Sequence, residues 1–438
     1  MNRVVVSISL LLSLIISPIA KAEAESVENC RIKASTSQTV SLGFPISPER
    51  LAYLSKPRIL VIPFSLKDNP NYTFTSNYKR NYEYAASYIE LLSKGKSSPQ
   101  FVFLPPIATD FTNDTINRLR AKQNIGNSTK DESISTWGFV RKFIADHDST
   151  IDFSGVSGVI LEGSSTSKIS FIAEAMTMKA ESLDSYLRPI ETNEGKIYNF
   201  VLMDKHQGNA TIAHEVMHLY GLTDLYGSSA SPEYLSLMSG DEVALLSYEK
   251  WVLGWLPDSE VQCLDTLSNQ SITQITFNYS KPEQLFIIKT SGDTHYIIET
   301  SKLQGMKKLV FYSLNNELRP PIEMFSSKNF TASMGLNVND FNAIGTQISS
   351  PIHTLLISDI NESTLTLNLV PKSFVKSAEF DNLVKQADEL KLIYRTQIEE
   401  TARVESTVKK KSITCIKGKL TKKVNAINPK CPAGYKKK

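Results

Sequence analysis

The stretch from Asn209 to Asp224 reads Asn-Ala-Thr-Ile-Ala-His-Glu-Val-Met-His-Leu-Tyr-Gly-Leu-Thr-Asp, and it leaves few local folds open. His214 and His218 stand four residues apart, so on a helix they project from one face about one turn from each other. Ile212, Val216 and Leu219 form an apolar stripe on the other side, which lets such a helix bury one face. Asn209 or Thr211 supplies a cap for its start. Gly221 stands where a helix can end in the left-handed region without a Cβ clash. The chain can then turn back and bring Asp224 toward the histidines. Two imidazoles at this spacing reach one tetrahedral zinc at about 2.0–2.1 Å, with Asp224 as an oxygen ligand. Glu215 then sits beside the ion, where it can take a proton from a water. The plainer alternative is a helix whose histidines make ordinary hydrogen bonds.

The N-terminus bears on the compartment. Arg3 precedes an apolar run from Val4 to Ala20, Pro18 interrupts it, and Ala20-Lys21-Ala22 follows a small-x-small pattern. That order of charged, apolar and cleavage segments is the order of a secretory signal, so residues 1–22 are expected to be removed and the remainder exported. The alternative is an uncleaved anchor, since about 20 apolar residues span a bilayer. No later stretch is as long and apolar, so the mature chain is expected to have no transmembrane segment. Four cysteines, Cys30, Cys263, Cys415 and Cys431, suit an oxidising compartment and allow three pairings. Nearness favours Cys415 with Cys431, which leaves Cys30 with Cys263; a bridge of either kind adds about 2–4 kcal/mol. A free Cys30 thiol, or Cys30 as a ligand that caps a metal in a latent form, are the competing readings.

The 438 residues, 41% hydrophobic and 21% charged, suit two or three folded domains. Apolar runs at 58–66, 101–104, 156–161 and 197–203 read as strands, and 76–94, 110–123 and 136–147 read as helices. From about Ser271 short strands between turn residues dominate. Residues 374–408 then repeat apolar positions at helical spacing without Pro or Gly. The fold class expected is α+β: a catalytic domain over 23–265, a smaller β-rich domain over 266–371, a helical spacer over 372–411 and a basic, Cys-containing tail over 412–438.

The net charge of +3 hides an asymmetry, because residues 409–438 hold eleven Lys and no Asp or Glu, leaving −8 on the rest. A body of that charge speaks against a nucleic-acid partner. The tail would attract anionic cell-envelope polymers, lipid head groups or acidic substrates, unless it is only a solvated extension.

The run His-Glu-x-x-His-x-x-Gly-Leu-x-Asp-Leu-Tyr from His214 resembles the metzincin-like zinc metallopeptidases, in particular secreted bacterial peptidases related to immune inhibitor A. Ser236-Leu-Met-Ser-Gly240 is similar to the Met-turn of that clan. Residues 245–256, ending Gly-Trp-Leu, are similar to the helix that follows it, and Ser41-Leu-Gly-Phe-Pro45 looks like the start of such a domain. The resemblance implies a zincin-like domain with one catalytic zinc, held by His214, His218 and Asp224. Many metzincins have His where Asp224 stands, and Asp241 and Glu242 compete for the third place. It further implies hydrolysis of extracellular proteins or peptides, Glu215 acting as general base, with the substrate paired as a strand on a sheet edge beside the helix. Met238 becomes an apolar floor under the metal or, more plainly, a core methionine. Tyr226 and Tyr248 can donate to an oxyanion, though packing is the simpler reading for each. His206 reads as a loop residue near the site, and His147, His295 and His353 as structural. Calcium binding cannot be read from these residues. The alternative function is an inactive, envelope-associated binding or adhesion protein on the same fold.

Overall fold

The computed structural model describes residues 26–438 apart from 35–38, 72–75, 124–135, 165–172, 176–188, 204–205, 229–230, 233, 241–243, 266–270, 282, 291, 304–305, 328–334, 340, 408–410 and 427–428. The expected signal segment and two competing ligands, Asp241 and Glu242, lie outside the described residues.

The chain is α+β. Its central sheet contains β1 (Arg58–Ser65), β2 (Gln100–Phe103), β3 (Gly158–Glu162), β4 (Ala173–Ala175) and β5 (Phe200–Met203), in the spatial order β2-β1-β3-β5-β4. β2, β1, β3 and β5 run parallel, while β4 pairs antiparallel with β5 and is the last strand on that side, the edge among the described residues. β1 and β3 are apolar almost throughout because both faces of the sheet are covered. Alternation divides their side chains between two layers. Leu60, Ile62, Phe64, Val159 and Leu161 pack with Phe139, Val140 and Phe143 of α3 (Thr136–His147), joined by Ile116 of α2 (Asn113–Gln123). Ile59, Val61, Ile160 and Val201 meet the opposite layer, α1 (Ser76–Leu92) and α4 (Asn209–Tyr220). The sequence reading of 197–203 as one strand is shortened at its start, since β5 begins at Phe200 and Gly195–Ile197 belongs to a separate small hairpin.

A second sheet joins this core. It runs Ile322–Met324, Met306–Leu314, His295–Leu303, Gln284–Lys289, Val261–Asp265 in spatial order. One face, including Leu285, Ile287, Ile297 and Val310, packs in the same apolar cluster as α4 and α5 (Ser247–Val252). The other face, including Phe286, Ile288 and Ile298, packs on a third, antiparallel sheet of Thr273–Asn278, Thr364–Pro371, His353–Ile360 and Gln347–Ser349. The strand Val261–Asp265 thus pairs within the second sheet, and a single apolar cluster runs across the expected boundary at 265. Cys30 and Cys263 are bonded across that junction, and Cys415 is bonded to Cys431, leaving no free cysteine. The first bridge takes Cys30 out of contention as a metal-capping thiol.

α6 (Ala378–Thr407) lays Phe380 and Ala387 on the third sheet, and residues 395–403 are exposed on every side. The lysine-rich tail is itself folded: Lys411–Lys417, Leu420–Ala426 and Lys436–Lys437 form a three-stranded antiparallel sheet. Among the described residues no helix is long and apolar enough to cross a membrane.

Candidate metal centre

α4 is buried along most of its length, not on one stripe alone: Ala213, Val216, Met217, Leu219 and Tyr220 are all inaccessible. It starts one residue earlier than a capping Asn209 would allow and three earlier than a capping Thr211 would. Gly208 occupies the N-cap and makes no side-chain cap bond, a substitution that costs only a few tenths of a kcal/mol relative to a polar cap. The end follows expectation. Gly221 has φ +108°, its N–H donates to the His218 carbonyl at 2.9 Å, and the Leu222 N–H donates to the Met217 carbonyl at 3.1 Å. Those two bonds are the Schellman pattern. A Cβ at Gly221 would also approach Ile46 Cγ2 to 2.9 Å, so both conformation and space require glycine.

The turn after Gly221 brings Asp224 back over the helix. Its Oδ1 lies 3.1 Å from His214 Nε2 and 3.1 Å from His218 Nε2, and the donor atoms of all three residues lie within 4.8 Å of one another. The other ring nitrogens are fixed by backbone. His214 Nδ1 meets the Leu237 carbonyl at 2.8 Å and His218 Nδ1 meets the Leu222 carbonyl at 2.8 Å. A carbonyl only accepts, so each Nδ1 carries a hydrogen and each ring turns its Nε2 toward Asp224. Two lone pairs against a carboxylate oxygen repel unless a proton or a cation lies between them. Burial lowers the His218 pKa, but the hydrogen bond and charge of Asp224, with the charge of Glu215, outweigh it and lift the group to about 9. Burial likewise pushes Asp224 up, and its two histidine partners more than reverse this, holding it well below the usual carboxylate range. The donor set therefore fits a divalent cation of the zinc type.

Glu215 is almost wholly inaccessible, with 5% exposure, and its Oε2 has no hydrogen-bond partner. Burial raises its pKa against the opposing charges of His218 and His214, and the Ala175 N–H donates to its carboxylate. Ala175 belongs to β4, so the antiparallel edge strand runs beside the glutamate. β5, which comes from the segment 197–203, is internal, lying between β3 and β4.

The segment around Met238 is bound to the site through its backbone. The Leu237 carbonyl orients His214, and the Met238 carbonyl accepts the Leu225 N–H at 2.8 Å, next to Asp224. The Met238 side chain is fully buried in the cluster that contains Met217 and Leu225. Ser236 Oγ accepts the Met238 N–H at 3.0 Å and donates to the buried Glu249 carboxylate at 2.8 Å, which also accepts the Leu246 N–H at 2.7 Å. Ser236 and Glu249 were not singled out in the sequence, because their link to His214 passes through backbone of another segment.

The two tyrosines part company. Tyr226 lines the cleft, its ring 6.2 Å from that of His214. Tyr248 is buried against Trp251 at 5.5 Å, away from the cleft. His206 is held by Glu162, whose Oε1 lies 3.1 Å from His206 Nδ1, and by Asn81 at Nε2, 3.3 Å away. His147 meets its own helix at the Phe143 carbonyl, 2.8 Å from Nδ1. His295 and His353 lie in the second and third sheets with burial lowering the pKa of each. A scan against models of known protein families matches no part of the chain, and a search of curated proteins gives no match either.

Proposed function

We propose that this chain is a secreted zinc endopeptidase of the metzincin-like type, built on a zincin-like arrangement of central sheet and α4. The observation that carries the reading is the convergence of His214 Nε2, His218 Nε2 and Asp224 Oδ1, with both Nδ1 atoms already bonded to carbonyls, beside a buried Glu215 whose Oε2 lacks a partner. His214, His218 and Asp224 would hold the ion. When bound, zinc supplies a Lewis acid that polarises the scissile carbonyl and makes a water acidic near neutral pH. Glu215 takes the proton at Oε2 and returns it to the leaving amine; its raised pKa suits a group that must do both. Ala175 holds the Glu215 carboxylate, and the outer edge of β4 offers backbone groups on which an extended peptide can pair. The segment 236–238 keeps His214 and the Asp224 turn in position.

The same reading makes the chain an exported one, in line with its two disulfides. It assigns the lysine-rich sheet at the end of α6 to contact with an anionic cell envelope. Deletion of 409–438 should lower the cell-associated fraction of the protein; an unchanged fraction counts against that contact.

The first test is zinc content together with cleavage of an unfolded protein such as casein. Wild type should hold about one zinc per chain and cleave. Glu215→Gln should keep the zinc and lose activity by a factor on the order of 10²–10⁴. Zinc binding without cleavage by wild type, even after limited proteolysis, would favour the inactive binding protein.

A further inference from the structure

The lysine-rich sheet after α6 is built against its own charge. Lys411–Lys417 is its central strand, with Leu420–Ala426 on one side and Lys436–Lys437 on the other. Residues paired across strands share a face of a sheet, and so do residues two apart along one strand. Cys415 pairs with Lys422 and with Lys437, so those two lysines and Lys417 crowd one face around the cysteine. Ile416 pairs with Thr421 and Lys436, and Thr414 pairs with Lys423, which puts Lys423 and Lys436 on the opposite face. All five lysines are exposed. Like charges on adjacent strands repel, and residues 409–438 contain no Asp or Glu to offset them.

Burial does little to hold this sheet together. Cys415 is its one buried residue among those described, and the bridge to Cys431 ties the central strand to the segment that follows the hairpin. Lysines that only blunt sheet edges would not be needed on a central strand, where Lys417 stands. The chain reaches the sheet through residues 395–403 of α6, which are exposed on every side. The lysines of both faces are therefore open to a partner.

We propose that this sheet binds a linear polyol phosphate polymer that passes over both of its faces. The inference rests on the assignment of the sheet to an anionic envelope and names the partner; it does not depend on peptidase activity. A flat bilayer meets one face at a time, whereas a flexible chain of charges can follow the lysines from one face round to the other. The segment carries eleven Lys and no Arg. An ammonium is a point charge that any phosphate oxygen satisfies, while a planar carboxylate is matched best by the two-pronged guanidinium that is missing here. Tyr435 is the only aromatic residue in 409–438, so the bases of a nucleic acid would find no row of rings to stack on.

The test measures binding of the full-length protein to synthetic poly(glycerol phosphate) of defined length over a range of salt. Each lysine that neutralises a phosphate contributes about −0.7 to the slope of log K against log salt, so five give about −3.5 and one face alone gives about −2 or less. Lys422→Ser with Lys437→Ser, and Lys423→Ser with Lys436→Ser, should each weaken binding roughly tenfold at physiological salt and make the slope shallower by about 1.4. Both double variants should show no free thiol and should cleave casein like wild type, so that weaker binding does not reflect a lost fold. A loss confined to one pair overturns binding over two faces. Phosphatidylglycerol vesicles that bind more tightly than the polymer, and lose affinity on replacing the 62% exposed Leu420 by Ser, assign the sheet to lipid and overturn the inference while the envelope contact stands. Tighter binding to polyglutamate or to single-stranded DNA overturns it as well. Absence of binding to the polymer does the same, and if deletion of 409–438 also leaves the cell-associated fraction unchanged, the envelope assignment falls with it.

Discussion

Two histidine–carboxylate clusters lie within a dozen residues of each other in the sequence, and they are finished in opposite ways. At His206 the ring is saturated by groups of matching polarity: the buried Glu162 takes the hydrogen at Nδ1 and the Asn81 amide faces Nε2. Tyr82 donates to the other oxygen of Glu162. Nothing further is needed for that cluster to be stable. At His214 and His218 the carbonyls of Leu237 and Leu222 use up the hydrogens, and both remaining nitrogens confront one acceptor, Asp224 Oδ1. Only a proton or a cation between those nitrogens and Asp224 completes that site, and His218, lifted to about 9, takes up a proton when no ion is bound. The difference separates a fastening from a donor set that a cation can complete, and residue type alone would not have made it, since both clusters contain the same chemistry.

The comparison predicts a large contrast between His218→Ala and His206→Ala. The first removes a proposed ligand and should weaken zinc binding by more than about 100-fold. The second should leave zinc affinity within about twofold and lower stability by about 1–3 kcal/mol, because Glu162 loses a partner while still buried. Zinc titration with a competing chelator, alongside denaturant unfolding, measures both. Loss of zinc on mutating His206 would mean that the two clusters are coupled and the distinction is wrong.

The site was legible in the sequence to the extent that it is local. His214, Glu215 and His218 share one helix and Gly221 ends it, so spacing sufficed for those four, while Asp224 shared the third place with Asp241 and Glu242 until the turn after Gly221 carried it back over the helix. What the sequence hid was everything supplied from elsewhere. Ala173–Ala175 has no run of β-branched residues to announce a strand, yet as β4 it sits beside Glu215 and forms the sheet edge. Arg319 looks like an ordinary loop arginine until the second sheet brings it to the cleft. The lysine-rich tail left a surface-binding segment and a solvated extension both open, and its strands were hidden because they carry charge on both faces. Their pairing places Lys422 and Lys437 on either side of Cys415, whose bridge to Cys431 holds the sheet closed.

A smaller effect sharpens the incomplete half of the comparison. In the metal-free protein His218 titrates at about 9, so at pH 7 it carries a proton that an ion at Nε2 must displace. Zinc binding should therefore release close to one proton per ion at pH 7 and progressively less as pH rises past 9. Affinity should climb with pH over the same range. Calorimetry in buffers of different ionisation enthalpy reads the number directly, and a value near zero at pH 7 would mean that His218 is already neutral in the absence of metal.

The smallest effect concerns the buried carboxylates that support the site without touching it. Glu249 is pushed up to about 8, first by burial, with the neighbouring Glu299 adding to it against the Ser236 and Leu246 hydrogen bonds. Glu299, which caps the N–H groups of Ser247 and Tyr248, is pushed up to about 7 by the same burial. A carboxyl whose folded pKa lies above its unfolded one keeps a proton that the unfolded chain gives up. Its contribution is therefore intact below about 4.5 and is lost as pH rises toward 8. The zinc-free protein should lose up to a few kcal/mol of stability between pH 5 and pH 8. Glu249→Gln cannot ionise but keeps an acceptor for Ser236, so its stability should fall less steeply over that interval, even if it starts about 1 kcal/mol lower at pH 5. Denaturant unfolding of both proteins at the two pH values isolates the difference in slope. His218 contributes to both proteins alike and cancels. Parallel slopes would place the ionisation of Glu249 below pH 5, where it would act as a permanently charged anchor for Ser236 and the turn that holds His214.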